Sequence, residues 1–209
     1  AQFFFDNFDS YAAGSSIDGQ GDWETWDQNP AGDTTVSNAQ SFSPSNSLLV
    51  AGAADVVKTF SPALNSGYWY VKAQTYVPSD QEGDMYFIIN DIYSPGGPYH
   101  WAVQVVLCVD LCNNAAAIPG QVVNIGGTDI AGIGNLPLVV DAWAELRVEV
   151  DLDNSQYWVY YNDALLDGPL QWQTSGADEI ANLDLFSDGS TESYMDDIWV
   201  DMTVPVELQ

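Results

Sequence analysis

Basic side chains are almost absent from this chain of 209 residues: Lys58, Lys72 and Arg147 stand against 30 Asp and Glu, which gives a formal net charge of −27. A surface so negative repels nucleic acid, anionic lipid and polyuronate chains, and it attracts divalent cations. We therefore expect no nucleic-acid partner. The acidic residues do not form a tail but are distributed among aromatic, alternating segments.

Long apolar runs are also missing. No stretch of 18 apolar residues occurs, so the sequence predicts no membrane insertion. The apolar fraction of 46% and the aromatic fraction of 13% nevertheless predict a packed core, because disordered acidic segments are poor in both. Ala1-Gln2 stands directly before a strand-like Phe-Phe-Phe, as in a mature protein after removal of a signal peptide. We therefore expect a secreted, extracellular or cell-surface protein.

Cysteine and histidine are scarce: the two cysteines are Cys108 and Cys112, and the only histidine is His100. A structural zinc site needs about four such ligands, so metal binding through sulfur is poorly supported. In an oxidising compartment, two cysteines this close at a strand end can form a disulfide, which contributes roughly 2 kcal/mol by loop entropy. The sequence predicts this disulfide; the alternative is two free thiols near a turn.

Apolar residues recur with a period of two, in short segments bounded by Gly, Pro, Asn, Asp and Ser, and helical periodicity is almost absent. The pattern predicts twelve strands, at residues 3–8, 47–50, 56–60, 67–76, 84–92, 100–109, 121–125, 143–151, 156–161, 164–170, 182–187 and 194–202. Such a series indicates an all-β fold, a β-sandwich of two antiparallel sheets. We expect one domain over residues 1–203, with residues 204–209 as a C-terminal tail or the start of a linker.

Four stretches resemble a known superfamily. They are residues 4–11 (Phe-Phe-Asp-Asn-Phe-Asp-Ser-Tyr), 55–60 (Asp-Val-Val-Lys-Thr-Phe), 143–154 (Trp-x-x-Leu-x-Val-x-Val-Asp-Leu-Asp-Asn) and 193–200 (Ser-Tyr-Met-Asp-Asp-Ile-Trp-Val). The chain thereby resembles, over nearly its whole length, the concanavalin A-like, laminin G-like jelly-roll domains of secreted bacterial proteins. The resemblance implies the jelly-roll fold but no single activity, because that superfamily includes lectin-like modules, glycoside hydrolases, polysaccharide lyases and adhesive domains.

The resemblance also implies a calcium ion where the first and last strands pair. The carboxylate from the last strand would be Asp197, and the carboxylate from the first strand would be Asp9 or Asp6. Calcium prefers six to eight hard oxygen ligands, which acidic termini can supply. The alternative is that Asp9 caps a turn and Asp197 is solvated.

Catalytic carboxylates are not expected. Glu149, Asp151 and Asp153 alternate on one strand and resemble the Glu-x-Asp-x-Glu signature of laminarinase-type glycoside hydrolases. Their position instead matches the turn that joins two later strands, where Asp-x-Asp-Asn is turn chemistry. The strand at residues 100–109, which occupies the catalytic position, carries no carboxylate pair. The basic and histidine-containing patterns of polysaccharide lyases are not reproduced either, so the sequence favours a non-catalytic domain.

Exposed aromatic rings remain as candidate binding groups, because sugar rings stack on Trp and Tyr while Asn, Asp and Gln bond their hydroxyls. Of the nearby pair Trp23 and Trp26, we expect Trp23 to fill the edge of the sandwich and Trp26 to be free. The candidate carbohydrate-binding residues are Trp26, Gln28, Tyr93, Tyr99, His100, Trp101 and Trp172. The alternatives are that most tryptophans belong to the core and that His100 is a satisfied strand-end residue.

Together these patterns predict a secreted, calcium-stabilised, non-catalytic module that binds a neutral polysaccharide or surface glycan. It would form part of a longer protein or contact copies of itself. Two alternatives stay open at this point. One is a structural or adhesive subunit that assembles through its β edges, and the other is a glycoside hydrolase or polysaccharide lyase.

Overall fold

Two antiparallel sheets face each other in the computed structural model, which describes residues 3–202. Two single 3-10 turns, Trp26–Gln28 and Pro30–Gly32, lie between the second and third strands. The strands are β1 (Phe4–Asp6), β2 (Trp23–Thr25), β3 (Val36–Ser37), β4 (Ser47–Leu49), β5 (Asp55–Leu64), β6 (Tyr68–Tyr76), β7 (Asp84–Tyr93), β8 (Tyr99–Cys108), β9 (Gln121–Asn124), β10 (Asn135–Pro137), β11 (Trp143–Asp151), β12 (Gln156–Tyr161), β13 (Ala164–Gln171), β14 (Ile180–Asp188) and β15 (Tyr194–Asp201).

The strands divide into an eight-stranded and a seven-stranded sheet. The first follows the order β13-β12-β11-β6-β15-β4-β3, with β1 also paired to β15, and the second follows β10-β9-β8-β7-β14-β5-β2. The predicted all-β, two-sheet antiparallel sandwich is therefore confirmed. All twelve predicted strands are present, and β11 and β12 have the predicted bounds. The strands β2, β3 and β10 were not predicted, because two or three residues are too few to show a period.

The two ends of the described chain meet on one strand. Phe4 pairs with Val200 and Asp6 pairs with Ile198, so β1 lies antiparallel to β15, as the resemblance implied. The predicted tail at residues 204–209 lies outside the described residues. Among residues 3–202, no helix is long and apolar enough to cross a membrane.

Strict alternation separates the core from the two outer faces. On β11, Leu146, Val148 and Val150 are fully buried between the sheets, while the residues between them are half-buried on the outer face. On β14, Leu183 and Leu185 enter the same core. Asp184 and Phe186 consequently point to the outer face of the seven-stranded sheet, because neighbouring strand residues face opposite sides. That outer face carries the candidate site.

Candidate functional site

A groove of about 300 Å³ lies on the outer face of the seven-stranded sheet. Its floor is formed by side chains of three neighbouring strands, β5, β7 and β14: Asp55, Tyr86, Ile88, Asp184 and Phe186. Its aromatic wall is formed by Trp26, Tyr99 and Trp101, and its rim by Gln104 and Asn114. The register places Phe186 beside both Tyr86 and Asp55, so the three floor strands are continuous through hydrogen-bonded ladders.

The aromatic wall is a cluster of half-buried rings centred on Trp26. The Trp26 ring centroid lies 4.6 Å from that of Tyr93, 5.0 Å from that of Tyr99 and 6.0 Å from that of Trp101. The planes of Trp26 and Trp101 are within 16° of parallel. Because period two puts Tyr99 and Trp101 on the same face of β8, a single 3-10 turn is enough to bring Trp26 against both.

Asp27 fixes the position of Trp26. Its backbone N–H donates to the Tyr93 hydroxyl at 3.1 Å, and its carboxylate accepts hydrogen bonds from the Gly96 N–H at 2.8 Å and from the Tyr99 hydroxyl. The hydrogen bond to Asp27 raises the pKa of Tyr99 to about 12, so this hydroxyl remains a donor at all physiological pH values. The Trp26 turn is thereby tied to the β7–β8 hairpin.

Two carboxyl groups meet on the floor of the groove. Asp184 is only 3% exposed, and its Oδ1 atom, like that of Asp55, has no hydrogen-bond partner. Burial raises the pKa of Asp184 well above its usual range and raises that of Asp55 to about 6. The two groups are close enough to hydrogen-bond to each other, which requires that one of them carry a proton.

No basic side chain of the sequence compensates this carboxyl pair. Lys58 bonds Asp22 at 3.1 Å and the Gly21 carbonyl at 2.8 Å. The other two basic residues lie on the outer face of the opposite sheet, where Lys72 bonds Glu145 and Arg147 bonds Glu145 and Glu149. With no basic side chain beside them, Asp55 and Asp184 reduce their mutual repulsion by sharing a proton.

The Asp55–Asp184 pair was not predicted from the sequence. The two residues are far apart in sequence, and only the register between β5 and β14 brings them together. The two side chains are within hydrogen-bonding reach of each other, whereas glycosidases hold their two carboxyl groups about 5 Å or more apart. The pair is therefore unlike a glycosidase centre in geometry.

The rim of the groove is held by the predicted disulfide. Cys108 and Cys112 are bonded to each other, which confirms that prediction. Two residues later, the Asn114 N–H donates to Asp84 Oδ2 at 2.7 Å, and the Asn114 amide donates to the Tyr86 hydroxyl at 3.1 Å. The disulfide and these two hydrogen bonds thus fix the position of the rim.

Asp84, Cys108 and Cys112 are also the one group of three His, Cys, Asp or Glu side chains within residues 3–202 that is compact enough for a shared metal ion. Both sulfur atoms belong to the disulfide, so neither is available as a thiolate ligand. The donor chemistry of this group therefore does not fit a metal ion.

Four of the predicted binding residues, Trp26, Tyr93, Tyr99 and Trp101, come together in the aromatic cluster, and three of these line the groove. Trp23 is fully buried, as expected. Gln28 is exposed in the turn after Trp26 and is outside the groove lining. The assignment of Trp172 to the binding site is wrong: its ring is 1% exposed and packs edge-on against Tyr157.

His100 also lies away from the groove, on the opposite face of β8 from Tyr99 and Trp101. Its Nδ1 atom is 2.7 Å from Asp91 Oδ1, and its Nε2 atom is 3.3 Å from Asp129 Oδ1. Burial lowers the pKa of His100, but the hydrogen bonds and charges of the two aspartates outweigh burial, so the net pKa is raised. The imidazole bridges the carboxylates of Asp91 and Asp129 and lies outside the groove lining.

With Ser175 nearby, His100 and its aspartate partners resemble a Ser-His-Asp triad. Its Oγ atom lies 3.5 Å from His100 Nε2, but its hydroxyl donates to Asp129 Oδ1 at 2.7 Å. The Ser175 hydroxyl is thus directed at a carboxylate rather than at the imidazole, and the two aspartates favour the protonated form of His100, which cannot accept a proton from serine. The arrangement is therefore structural, and it joins the segment at Ser175 to β7 and β8.

Each of the predicted calcium ligands accepts hydrogen bonds from groups of the protein. Asp6 accepts from the Phe8 N–H, the Tyr11 hydroxyl and Trp23 Nε1, at 2.7 to 2.9 Å. This set of donors does not fit a cation, because N–H and O–H groups point their positive ends at the same oxygens that calcium would use.

Asp9 and Asp197 bind one segment from two sides. Asp9 Oδ1 accepts the N–H groups of Ser45 and Asn46, and Asp197 Oδ1 accepts the Ser43 hydroxyl. Asp6, Asp9 and Asp197 do not form a compact metal-ligand group within residues 3–202. Asp9 and Asp197 thus fix the chain between β3 and β4, while Asp6 fixes the segment that follows β1.

The carboxylates of the Glu-Val-Asp-Leu-Asp run lie where the sequence placed them, at the end of β11 and the turn to β12. Glu149 bonds the Tyr68 hydroxyl at 2.6 Å and Arg147 at 2.9 Å. Asp151 accepts from Asn154, and Asp153 accepts the Gly67 N–H. All three are engaged in local contacts on the sheet opposite the groove.

A larger cavity of about 620 Å³ lies beside the second half of β5. It is lined mainly by apolar groups, including Phe4, Phe60 and Trp69, and its charged lining residues Asp22 and Lys58 pair with each other. It contains no unpartnered buried carboxyl group of the kind found at Asp184. The smaller groove therefore has the stronger chemical basis for a ligand site.

Comparison with known proteins identifies a shared fold. No family model and no curated protein matches this sequence. A solved structure titled sialidase is 12% identical with a TM-score of 0.60, and the match covers 97% of this chain but only 18% of the sialidase chain.

Two smaller proteins match over most of their own length. The carbohydrate-binding module CBM66 from Bacillus subtilis is 10% identical with a TM-score of 0.52, and the match covers 86% of this chain and 95% of that one. The potassium-bound carbohydrate recognition domain of Emp46p is 10% identical with a TM-score of 0.55, covering 88% and 90%. At these identities, what the matches show for this chain is the β-sandwich fold.

Proposed function

We propose that this chain is a carbohydrate-binding module that holds a non-acidic glycan in the groove on its seven-stranded sheet. The single observation that carries the proposal is the convergence of Trp26, Tyr99 and Trp101 above the carboxyl pair of Asp55 and Asp184, whose Oδ1 atoms have no hydrogen-bond partner. Sugar rings pack their C–H faces on such aromatic walls, and their hydroxyls donate to carboxyl oxygens below. The groove is built for both kinds of contact.

The charge of the molecule restricts the ligand. An acidic saccharide, such as a polyuronate, would meet a protein of formal net charge −27 and a carboxyl pair at the binding surface. A neutral glycan avoids that repulsion, as does one that carries amino groups. Two structural neighbours, a carbohydrate-binding module and a carbohydrate recognition domain, support glycan binding on this fold without identifying the sugar.

We propose that binding is not followed by hydrolysis. Asp55 and Asp184 are too close for the roles of acid and nucleophile or of acid and water-activating base. Secretion belongs to the same proposal, and it is supported by the Cys108–Cys112 disulfide, which forms and persists in oxidising compartments.

Calcium stabilisation stays a prediction, and the donors around Asp6 weigh against it. The direct measurement is thermal melting with and without a chelator. A calcium site filled at 100 times its dissociation constant would add about 2.7 kcal/mol to the unfolding free energy. An unchanged melting temperature would contradict the prediction.

The test of glycan binding is affinity electrophoresis and calorimetry on a panel of neutral, amino-bearing and acidic polysaccharides. We expect retention on a non-acidic member of the panel and loss of that retention in Trp26→Ala. Trp158→Ala is the matched control, because Trp158 is also a half-buried surface ring but stacks on Tyr68 on the opposite sheet. Equal loss in both variants, or retention on acidic glycans alone, would contradict the proposal.

The alternative of a structural subunit that assembles through its β edges receives less support. The edge strands β1, β2, β3 and β10 have two or three residues, and β10 ends in Pro137. The remaining edge strand, β13, contains Pro169 and pairs with β12 through two register shifts. Short, bulged and proline-containing edges are features that prevent strand addition.

A further inference from the structure

We propose that the ligand carries a protonated amino group and that this ammonium is bound by the Asp55–Asp184 pair. The ligand class is an amino sugar or a glycan of amino sugars with free amines. This inference rests on the proposed function, because it places the saccharide ring on the aromatic wall formed by Trp26, Tyr99 and Trp101.

The first reason is the missing countercharge. Asp184 is 97% removed from solvent, lines the groove and leaves Oδ1 without a partner, although buried charges are nearly always paired. Lys58, Lys72 and Arg147 are all engaged elsewhere. A cationic ligand group would supply the charge that the chain itself does not.

The second reason is that, within residues 3–202, every charged group facing the pair is negative. From β5 and β14 come Asp55 and Asp184 themselves, and from the 3-10 turn comes Asp27, whose charge acts on Asp55. From β7 and β8 come the neutral hydroxyls of Tyr86, Tyr93 and Tyr99, each held as a phenol by a raised pKa. The local potential therefore favours a cation at this position.

The third reason is the composition of the remaining lining. Trp26, Trp101 and Phe186 present ring faces and edges, which attract an ammonium through cation–π interaction. A calcium ion would instead need six to eight oxygens, and apart from the two carboxyl groups the lining supplies mainly aromatic and aliphatic groups with the two amides Gln104 and Asn114. The site suits an organic ammonium better than a hard metal ion.

Binding is coupled to one proton. When the ammonium approaches, the proton shared by Asp55 and Asp184 is released to solvent, and the amine donates N–H bonds to the oxygens that the proton had bridged. The free energy of binding then includes the release of that proton, so affinity for the amino sugar should rise with pH for as long as the amine keeps its own proton. A neutral sugar has no reason to show this rise.

The experiment is calorimetric titration with a short oligomer of β-1,4-linked glucosamine and with its fully N-acetylated counterpart of the same length. For the unaltered protein we expect at least tenfold tighter binding of the free-amine oligomer at pH 7. Asp184→Asn and Asp55→Asn should remove this preference. Asp163→Asn, in the exposed turn between β12 and β13, makes the same change in net charge and should leave the preference intact.

The outcomes separate the inference from the function on which it rests. Equal binding of both oligomers, or an equal effect of Asp163→Asn and Asp184→Asn, would overturn the amine site and leave the glycan-binding module standing. Displacement of the oligomer by millimolar calcium in the unaltered protein, absent in Asp184→Asn, would replace the amine site by a metal site. Failure to bind any saccharide in a Trp26-dependent manner would overturn the proposed function itself. A thermal melt of each variant confirms that it is folded.

Discussion

Asp55 and Asp184 are diagonal neighbours across the β5–β14 ladder: Asp184 lies opposite Val57, two residues along the strand from Asp55. Their carboxyl groups share the floor of the groove, and burial raises the pKa of both, that of Asp55 to about 6. At pH values between the unfolded pKa near 4 and these raised folded pKa values, the folded chain binds more protons than the unfolded chain. Stability must therefore fall as the pH rises through this interval.

We expect the melting temperature to be higher at pH 5 than at pH 8. Each pKa unit corresponds to about 1.4 kcal/mol, so the pair contributes on the order of 1–3 kcal/mol to this decline. His100 adds to it in the same direction, because its raised folded pKa gives stability that is lost as the proton leaves. The measurement is thermal melting across this pH range in the unaltered protein and in Asp184→Asn.

Asp184→Asn should flatten the pH dependence, because one coupled carboxyl group is gone. Asp163→Asn, at an exposed turn, should leave the slope unchanged. A melting temperature that rises from pH 5 to pH 8, or an identical slope in Asp184→Asn and the unaltered protein, would contradict the shared proton.

Trp172 and Trp26 should respond to truncation in opposite ways. Trp172→Ala removes a fully buried ring from the core beside Tyr157, which should cost about 3–5 kcal/mol of unfolding free energy. Trp26→Ala removes a half-buried ring from the groove, which should cost about 1 kcal/mol in stability while abolishing glycan retention. Urea unfolding measures the first effect and affinity electrophoresis the second. Comparable destabilisation by the two variants would argue against this division.

His100 should matter for stability and not for catalysis. His100→Gln leaves Asp91, which is fully buried, without its charged partner, and breaking such a buried pair costs about 3–5 kcal/mol. Ser175→Ala removes one hydrogen bond to Asp129 and should cost only about 1 kcal/mol. Denaturant unfolding at pH 6 gives both values.

An ester substrate provides the complementary assay. Because the Ser175 hydroxyl donates to Asp129 rather than to His100, hydrolysis should be the same in the unaltered protein and in Ser175→Ala. Ester hydrolysis that disappears in Ser175→Ala would show instead that the triad-like arrangement is a working nucleophile.

Long strands could be predicted because alternation repeats over many residues. In β11 and β12, regular exchange of apolar and polar positions gives both the strand and its bounds. The short β2, β3 and β10 contain too few residues to show a period, and they exist because a neighbouring strand offers hydrogen-bond partners. That information is tertiary and is absent from the local sequence.

The candidate site likewise has one part that could be predicted from the sequence and another that could not. The aromatic wall could be predicted, because Trp26, Tyr99 and Trp101 lie in or beside turns rich in Gly, Pro and Asp. The carboxyl pair could not, because it depends on the register of two strands distant in sequence. The separation of His100 from Tyr99 and Trp101 follows from period two alone and was available from the sequence. The assignment of Trp172 to the site was wrong because the bend after β13 directs its ring into the core.

The Cys108–Cys112 disulfide should support the groove as well as the fold. It closes a loop of five residues, and its removal in the Cys108→Ser, Cys112→Ser double variant should lower the unfolding free energy by about 2 kcal/mol. Asn114 lies two residues after Cys112 and forms part of the rim, where it bonds Asp84 and Tyr86. Freed from the disulfide, this rim should lose order, because its remaining restraints are single hydrogen bonds.

We therefore expect the double variant to bind glycan several-fold more weakly at a temperature where it is still fully folded. Asn114→Ala is the matched control, since it keeps the disulfide and removes only the rim amide. If loss of the disulfide weakens binding by displacing the rim amide, the double variant should have about the affinity of Asn114→Ala. A triple variant that combines the changes should then bind little more weakly than either. Unchanged affinity in the double variant, measured by calorimetry beside a thermal melt that shows the expected loss of stability, would mean that the disulfide stabilises the sandwich without shaping the groove.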